Sequence, residues 1–111
     1  MSAPPIEIDC KTVKAKLDAA EPFLLLDCRN PDEHKLVNIA QARLIPMNEL
    51  PQRVGELDEF RQAEIVVHCH HGGRSLKVTH WLRQQGFENV RNLTGGIDQW
   101  ALDIDPSLPR Y

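Results

Sequence analysis

Aromatic residues are scarce here, at 5% of 111 residues, which leaves little with which to stack nucleic-acid bases. Positive charge is not in excess either. Thirteen Lys and Arg against 16 Asp and Glu give a formal net charge of −3, where a nucleic-acid binder would carry a basic stripe. No apolar run approaches the roughly 20 residues that cross a bilayer. Neither nucleic acid nor a membrane is therefore an expected partner. The opening stretch MSAPPIEID has neither the basic nor the apolar region of a signal peptide. Cysteine is sparse as well: three residues, Cys10, Cys28 and Cys69, form an odd and widely spaced set. That count suits a reducing compartment better than a disulfide framework, and the cytoplasm is the expected location.

What is present fits one ordinary globular domain over 1–111, with 41% hydrophobic and 26% charged residues. Residues 1–5 read as a loose lead-in and Pro106–Tyr111 as a turn-rich tail. Between them strand and helix patterns alternate. Ile6–Ile8 reads as a short strand, and Asp9 caps a helix over Cys10–Ala20. FLLLD (23–27) is the continuous apolar run of a strand buried on both faces. Asn30 and Pro31 then start a short helix. ARLIP (42–46) reads as a strand, after which Asn48 caps a helix ending near Gly55. EIVVH (64–68), with three β-branched residues in a row, is the strongest strand. A helix over 74–85 follows, with Val78, Trp81, Leu82 and Gln85 spaced to share a face and Gly86 as its stop. ENVRNL (88–93) makes a last strand and GGIDQWALD (95–103) a last helix. This alternation predicts an α/β fold, a mostly parallel five-stranded sheet with helices on both faces.

In such sheets ligands bind beyond the carboxyl ends of the strands, which is where VVHCHHGGRSLKV (66–78) falls. Cys69, His70 and His71 are adjacent, so they converge poorly on one tetrahedral ion. No second C-x-x-C or H-x-x-x-H pair accompanies them, and no metal or other cofactor is expected. As strand, loop and helix the stretch makes better sense. Gly72 and Gly73 permit a curl that turns successive backbone N–H groups inward as an anion nest. The helix N-terminus adds partial positive charge, and Arg74 supplies a fixed cation at the rim. A cysteine at the centre of such a nest is stabilised as the reactive thiolate. A lone cysteine would more often simply pack at a strand end; the Gly-rich turn and Arg at i+5 favour chemistry.

These residues resemble the rhodanese-like family. HCHHGGRS matches its Cys-x-x-Gly-x-Arg-Ser loop at Cys69, Gly72, Arg74 and Ser75. LLLDCRNPDEH (24–34) and NLTGGIDQW (92–100) match two further family stretches in the expected order. The tail DPSLPRY is similar to the end of rhodanese domains fused to adenylating enzymes that serve molybdopterin and ubiquitin-like sulfur carriers. Val37-Asn38-Ile39 stands where the family often has Gly-His-Ile, and Cys28 where it often has Val.

The resemblance implies a sulfurtransferase. Cys69 would take sulfane sulfur from thiosulfate or a persulfide donor and pass it to cyanide, a thiol or a sulfur-carrier protein. Four residues separate Cys69 from Arg74, as in sulfurtransferases, where the related phosphatases have five. A dedicated protein-to-protein sulfur relay, a phosphatase-like enzyme and a non-catalytic interaction module are the alternative readings. His70, His71, Gly72, Gly73, Arg74 and Ser75 form the expected substrate-binding loop around the catalytic Cys69, with Ser75 capping the helix or lining the cradle. His70 and His71 either line the mouth and bias it toward anions when protonated, or contribute only their backbone. Asp27 and Arg29 are expected to support the loop as a structural ion pair or brace. His34 and His68 are expected to pack, and His80 to lie at the surface or be partly buried. Cys28 reads as a core residue and Cys10 has no assigned role. Gly95 and Gly96 should allow a tight approach at the start of the last helix, with Trp100 as core.

Overall fold

The computed structural model describes residues 4–111; residues 1–3 of the expected lead-in lie outside the described residues. The strands are β1 (Glu7–Ile8), β2 (Phe23–Asp27), β3 (Arg43–Leu44), β4 (Glu64–His68) and β5 (Asn89–Leu93). The helices are α1 (Cys10–Asp18), α2 (Pro31–Leu36), α3 (Leu50–Arg53), α4 (Gly73–Gln84) and α5 (Gly96–Asp103). The five strands form one sheet in the order β1-β5-β4-β2-β3, and every pairing is parallel. Among the described residues no helix is long and apolar enough to cross a membrane.

The two central strands carry side chains into separate cores because successive residues face opposite ways. Leu24, Leu26, Ile65 and Val67 pack with Leu50, Val78 and Leu82, toward α3 and α4. Leu25 and Val66 pack with Val13, Ile97 and Trp100, toward α1 and α5. Both faces of the sheet are thus covered, which is why FLLLD and EIVVH are apolar without alternation. The same parity puts Cys28 and Cys69 in the α4-side core.

Several boundaries differ from expectation. Asp9 does cap α1, its Oδ1 accepting from the Thr12 N–H at 2.7 Å. The helix ends at Asp18, and Ala20 adopts φ 53° in the turn that follows. β3 is only two residues long. Asn48 caps nothing: it lies inside a 3-10 turn at Met47–Glu49, and a second 3-10 stretch carries the chain from Val54 to Phe60, past Gly55. Pro46 and Pro51 set φ for successive tight turns there, so no regular helix with a single N-cap forms. On α4 the buried face is Ser75, Val78, Thr79 and Leu82; Trp81 is half-buried and Gln85 exposed.

Candidate active site

The loop between β4 and α4 is shaped from both sides. Gly72 takes φ 111°, a left-handed turn that side chains resist, and reverses the chain into α4. Gly73 has an ordinary φ and begins the helix, so only Gly72 is required by the backbone. From the other side, α5 grips the loop. Its first turn has N–H groups without helical partners, and Ile97 N–H donates to the Cys69 carbonyl at 2.9 Å and Asp98 N–H to the His70 carbonyl at 3.1 Å. With those carbonyls held outward, the following amides turn inward. The close approach depends on Gly96, at φ 61°, where an added Cβ would lie 2.5 Å from the His70 carbonyl oxygen. Gly95 and Gly96 thus provide the tight approach expected of them.

Cys69 Sγ sits at the focus. It accepts from the Gly72 N–H at 3.1 Å and the Ser75 N–H at 3.4 Å, and lies 3.3 Å from Ser75 Oγ. Burial pushes the Cys69 thiol up, but the Ser75 hydroxyl and the amides of Ser75, Gly72 and Arg74 outweigh it and hold the thiol below its usual range. The contrast with the other cysteines is direct. Burial pushes Cys10 up to about 11 and raises Cys28 further still, since neither sits in such a ring of donors.

Ser75 lines the cradle as well as opening the helix. Its hydroxyl has one proton and two neighbours: Cys69 Sγ, and Asn92 Oδ1 at 2.5 Å. Asn92 is pinned, because its Nδ2 donates to the Glu7 carboxylate at 3.0 and 3.2 Å and to the Gly72 carbonyl at 3.3 Å. Its amide oxygen is therefore left facing Ser75. When Cys69 is a thiol, the Ser75 proton can go to Asn92; when it is a thiolate, the stronger acceptor draws that proton back.

Arg74 is not a free cation at the rim. Its Nη1 and Nη2 donate to Glu33 Oε1 and Oε2 at 2.7 and 2.8 Å, and the guanidinium holds the Glu33 carboxyl down at about 2. Glu33 also accepts the Asn30 N–H at 3.1 Å at the start of α2. His70 stacks on Tyr111, with ring centroids 3.9 Å apart, and the His71 ring lies 3.8 Å away, tilted by 31°. Burial and the neighbouring His71 hold the His70 imidazole below its ordinary range, so at neutral pH it presents an uncharged ring. His71 is exposed, 3.8 Å from an Asp98 carboxylate oxygen.

Asp27 and Arg29, expected to support the loop, meet as a buried ion pair at the end of β2. Both side chains are fully buried, and the guanidinium donates to Oδ1 and Oδ2 at 2.9 and 2.8 Å. Arg29 also donates to the Val37 carbonyl at 2.7 Å, tying β2 to the chain beyond α2. His34 does more than pack: its Nδ1 lies 2.9 Å from Asp27 Oδ2, beside the buried carboxylate. His68 is buried with Nε2 3.9 Å from that same oxygen, and burial lowers it to about 4. His80 is exposed on α4, as expected.

The structure brings Cys69 through Ser75 together as one loop, with Asp27 and Arg29 at the end of β2. Sequence reasoning missed Glu33, Asn92 and Tyr111 as members of the site. Glu33 had a local signal, three residues after a helix-capping Asn, but its partner lies 41 residues away.

The Rhodanese-like domain family model matches residues 9–103. The chain is 38% identical over 95 residues to a Sulfurtransferase of Allochromatium vinosum, covering 86% of this chain and 87% of that protein. It is 32% identical over 109 residues to Adenylyltransferase and sulfurtransferase MOCS3-2 of Zea mays, covering 94% of this chain but only 23% of that longer protein. The crystal structure of a rhodanese-like domain protein from Staphylococcus aureus superimposes with a TM-score of 0.78 at 29% identity, over 96% of this chain and 99% of that one. The chain belongs to the rhodanese-like domain family.

Proposed function

We propose that Cys69 is the sulfur-carrying nucleophile of a rhodanese-type sulfurtransferase. The observation that carries this reading is the convergence of Gly72 N–H, Ser75 N–H and the Ser75 hydroxyl on Cys69 Sγ. The Cys69 thiolate attacks the outer sulfur of thiosulfate. A Cys69–sulfur bond forms, the donor's S–S bond breaks, and sulfite leaves with the bonding electron pair. The charge of the resulting persulfide is received by the loop amides. Cyanide or a thiol then attacks the outer sulfur and regenerates the Cys69 thiolate. Toward the activated carboxyl end of a sulfur-carrier protein the persulfide is itself the nucleophile: its outer sulfur bonds to the acyl carbon as the activating group leaves, and a reducing thiol then cleaves the S–S bond to Cys69. A low-molecular-mass persulfide serves as donor by the same displacement. His70, His71, Gly72, Gly73, Arg74 and Ser75 form the walls of the site, and Asp27 with Arg29 supports them from below. The three buried free cysteines suit a reducing cytoplasm.

Steady-state assays with thiosulfate and cyanide, and with a persulfide donor and a thiol acceptor, test the reading. Sulfur transfer that disappears in Cys69→Ser, with no hydrolysis of an aryl phosphate, is the expected result. Phosphate-ester hydrolysis faster than sulfur transfer would overturn it. Slow turnover with thiosulfate beside fast transfer from a protein persulfide would identify the dedicated relay.

A further inference from the structure

The segment after α5 returns to the mouth of the loop and is fastened there. Leu108 packs against the core on the α1 and α5 side. Arg110 forks onto the Asp98 carboxylate through Nε and Nη2 at 2.8 and 3.1 Å, on the residue whose N–H holds the His70 carbonyl. Tyr111 then lays its ring parallel to the His70 imidazole, 3.9 Å between centroids and 6° between planes.

The Tyr111 hydroxyl is used twice. It donates to Glu33 Oε2 at 2.7 Å and accepts from Arg29 Nη1 at 2.9 Å. One oxygen thereby joins the fully buried Asp27–Arg29 pair to the Glu33–Arg74 pair. Among the described residues Arg29 Nη1 has one other partner, the more distant Glu33 carbonyl at 3.4 Å, so the phenol is its shorter contact. Few side chains could replace it: the position needs a flat ring for the stack and an O–H that both donates and accepts.

We infer that Tyr111 is a positioning residue for the Cys69 nucleophile. It holds the upstream half of the loop through His70 and the downstream half through Glu33 and Arg74, so the amides between them stay aimed at Sγ. The inference rests on the sulfurtransferase reading only for its biological meaning, because its physical content is the ionisation of Cys69. Loss of the ring and hydroxyl slackens the cradle and weakens its hold on the thiolate.

The test is the pH dependence of Cys69 alkylation by iodoacetamide in wild type, Tyr111→Phe and Tyr111→Ala, followed by peptide mass mapping so that Cys10 and Cys28 are read separately. The alkylation midpoint should rise by about half a pH unit in Tyr111→Ala, the scale of one weakened hydrogen bond to a charged group, and by less in Tyr111→Phe, which keeps the stack. A fold defect alone would lower the melting temperature without this graded rescue by Phe. A Tyr111→Ala midpoint equal to wild type overturns the proposal. If Tyr111→Ala does not fold, Tyr111→Phe decides, and an unmoved midpoint there overturns it equally. Because alkylation needs no sulfur donor, failure to load a persulfide would count against the sulfurtransferase reading and leave this test standing.

Discussion

Arg74 and Glu33 meet as two parallel hydrogen bonds, 2.7 and 2.8 Å long, between the first turn of α4 and the first turn of α2. The residue that sequence alone placed at the rim to greet an anion is thus already engaged, and its charge is neutralised before any donor arrives. Its contribution is to fix where α4 begins, and with it where the amides of residues 74 and 75 point.

That arrangement separates two roles in kinetics. Arg74→Lys keeps the charge but loses the fork, and Glu33→Gln keeps the shape but loses the charge. Both should lower kcat for sulfur transfer several-fold and leave KM for thiosulfate nearly unchanged, with a stability loss of about 1 kcal/mol. A KM raised about tenfold at unchanged kcat, equivalent to one lost ionic contact with the donor, would mean that Arg74 swings onto the substrate.

Ser75 and Asn92 should have opposite effects on Cys69. Ser75→Ala removes a donor to the thiolate and should raise the midpoint of Cys69 alkylation by about one pH unit. Asn92→Ala removes the competing acceptor and frees the Ser75 proton for Sγ, so the midpoint should stay or fall. Stability should drop by about 1–3 kcal/mol, because the Gly72 carbonyl and Glu7 lose a shared partner. Equal upward shifts in both variants would show that Asn92 acts only by supporting the fold.

Gly96→Ala tests the grip of α5. Its Cβ would lie within van der Waals overlap of the Cys69 and His70 carbonyls, at 2.6 and 2.5 Å, in a backbone with φ 61°. We expect a stability loss of about 1–3 kcal/mol and a marked fall in Cys69 reactivity. Gly55→Ala, with nothing within 4 Å of its added Cβ, is the matched control and should retain reactivity. Denaturant melts with alkylation rates on both variants check this.

Acid should act in two stages. His68 is held down to about 4 when folded, from an ordinary value of 6.5. The unfolded chain therefore takes up that proton first, and stability falls as pH drops from about 6.5 toward 4. Glu33 is held at about 2, against an ordinary 4.5; its contribution is complete above 4.5 and is lost as pH falls toward 2. Urea melts across this range should show both declines, and His68→Gln should flatten only the upper one.

Much of this architecture is legible in the sequence because it is written locally. FLLLD and EIVVH announce buried parallel strands by their unbroken apolar runs, and Cys69 is marked by the glycines and arginine that follow it. The 46–60 region is not legible, since two prolines, Pro46 and Pro51, and no steady period leave tight turns and helix indistinguishable. Asn92 and Tyr111 escape for another reason. Asn92 sits in an ordinary strand pattern and acquires its role only through Ser75, 17 residues away. Tyr111 lies in a turn-rich tail, and its partners Glu33 and Arg29 are 78 and 82 residues distant. Glu33 reads from sequence as part of a helix start, which it is, while its second function depends on the packing of α2 against the loop.

The most direct test of the central claim is the intact mass of the protein after incubation with thiosulfate, before and after cyanide. Wild type, Cys10→Ser and Cys28→Ser should each gain the mass of one sulfur atom and lose it to cyanide, and Cys69→Ser should gain none. A cyanide-labile sulfur that persists in Cys69→Ser would contradict the assignment of Cys69 as the carrier.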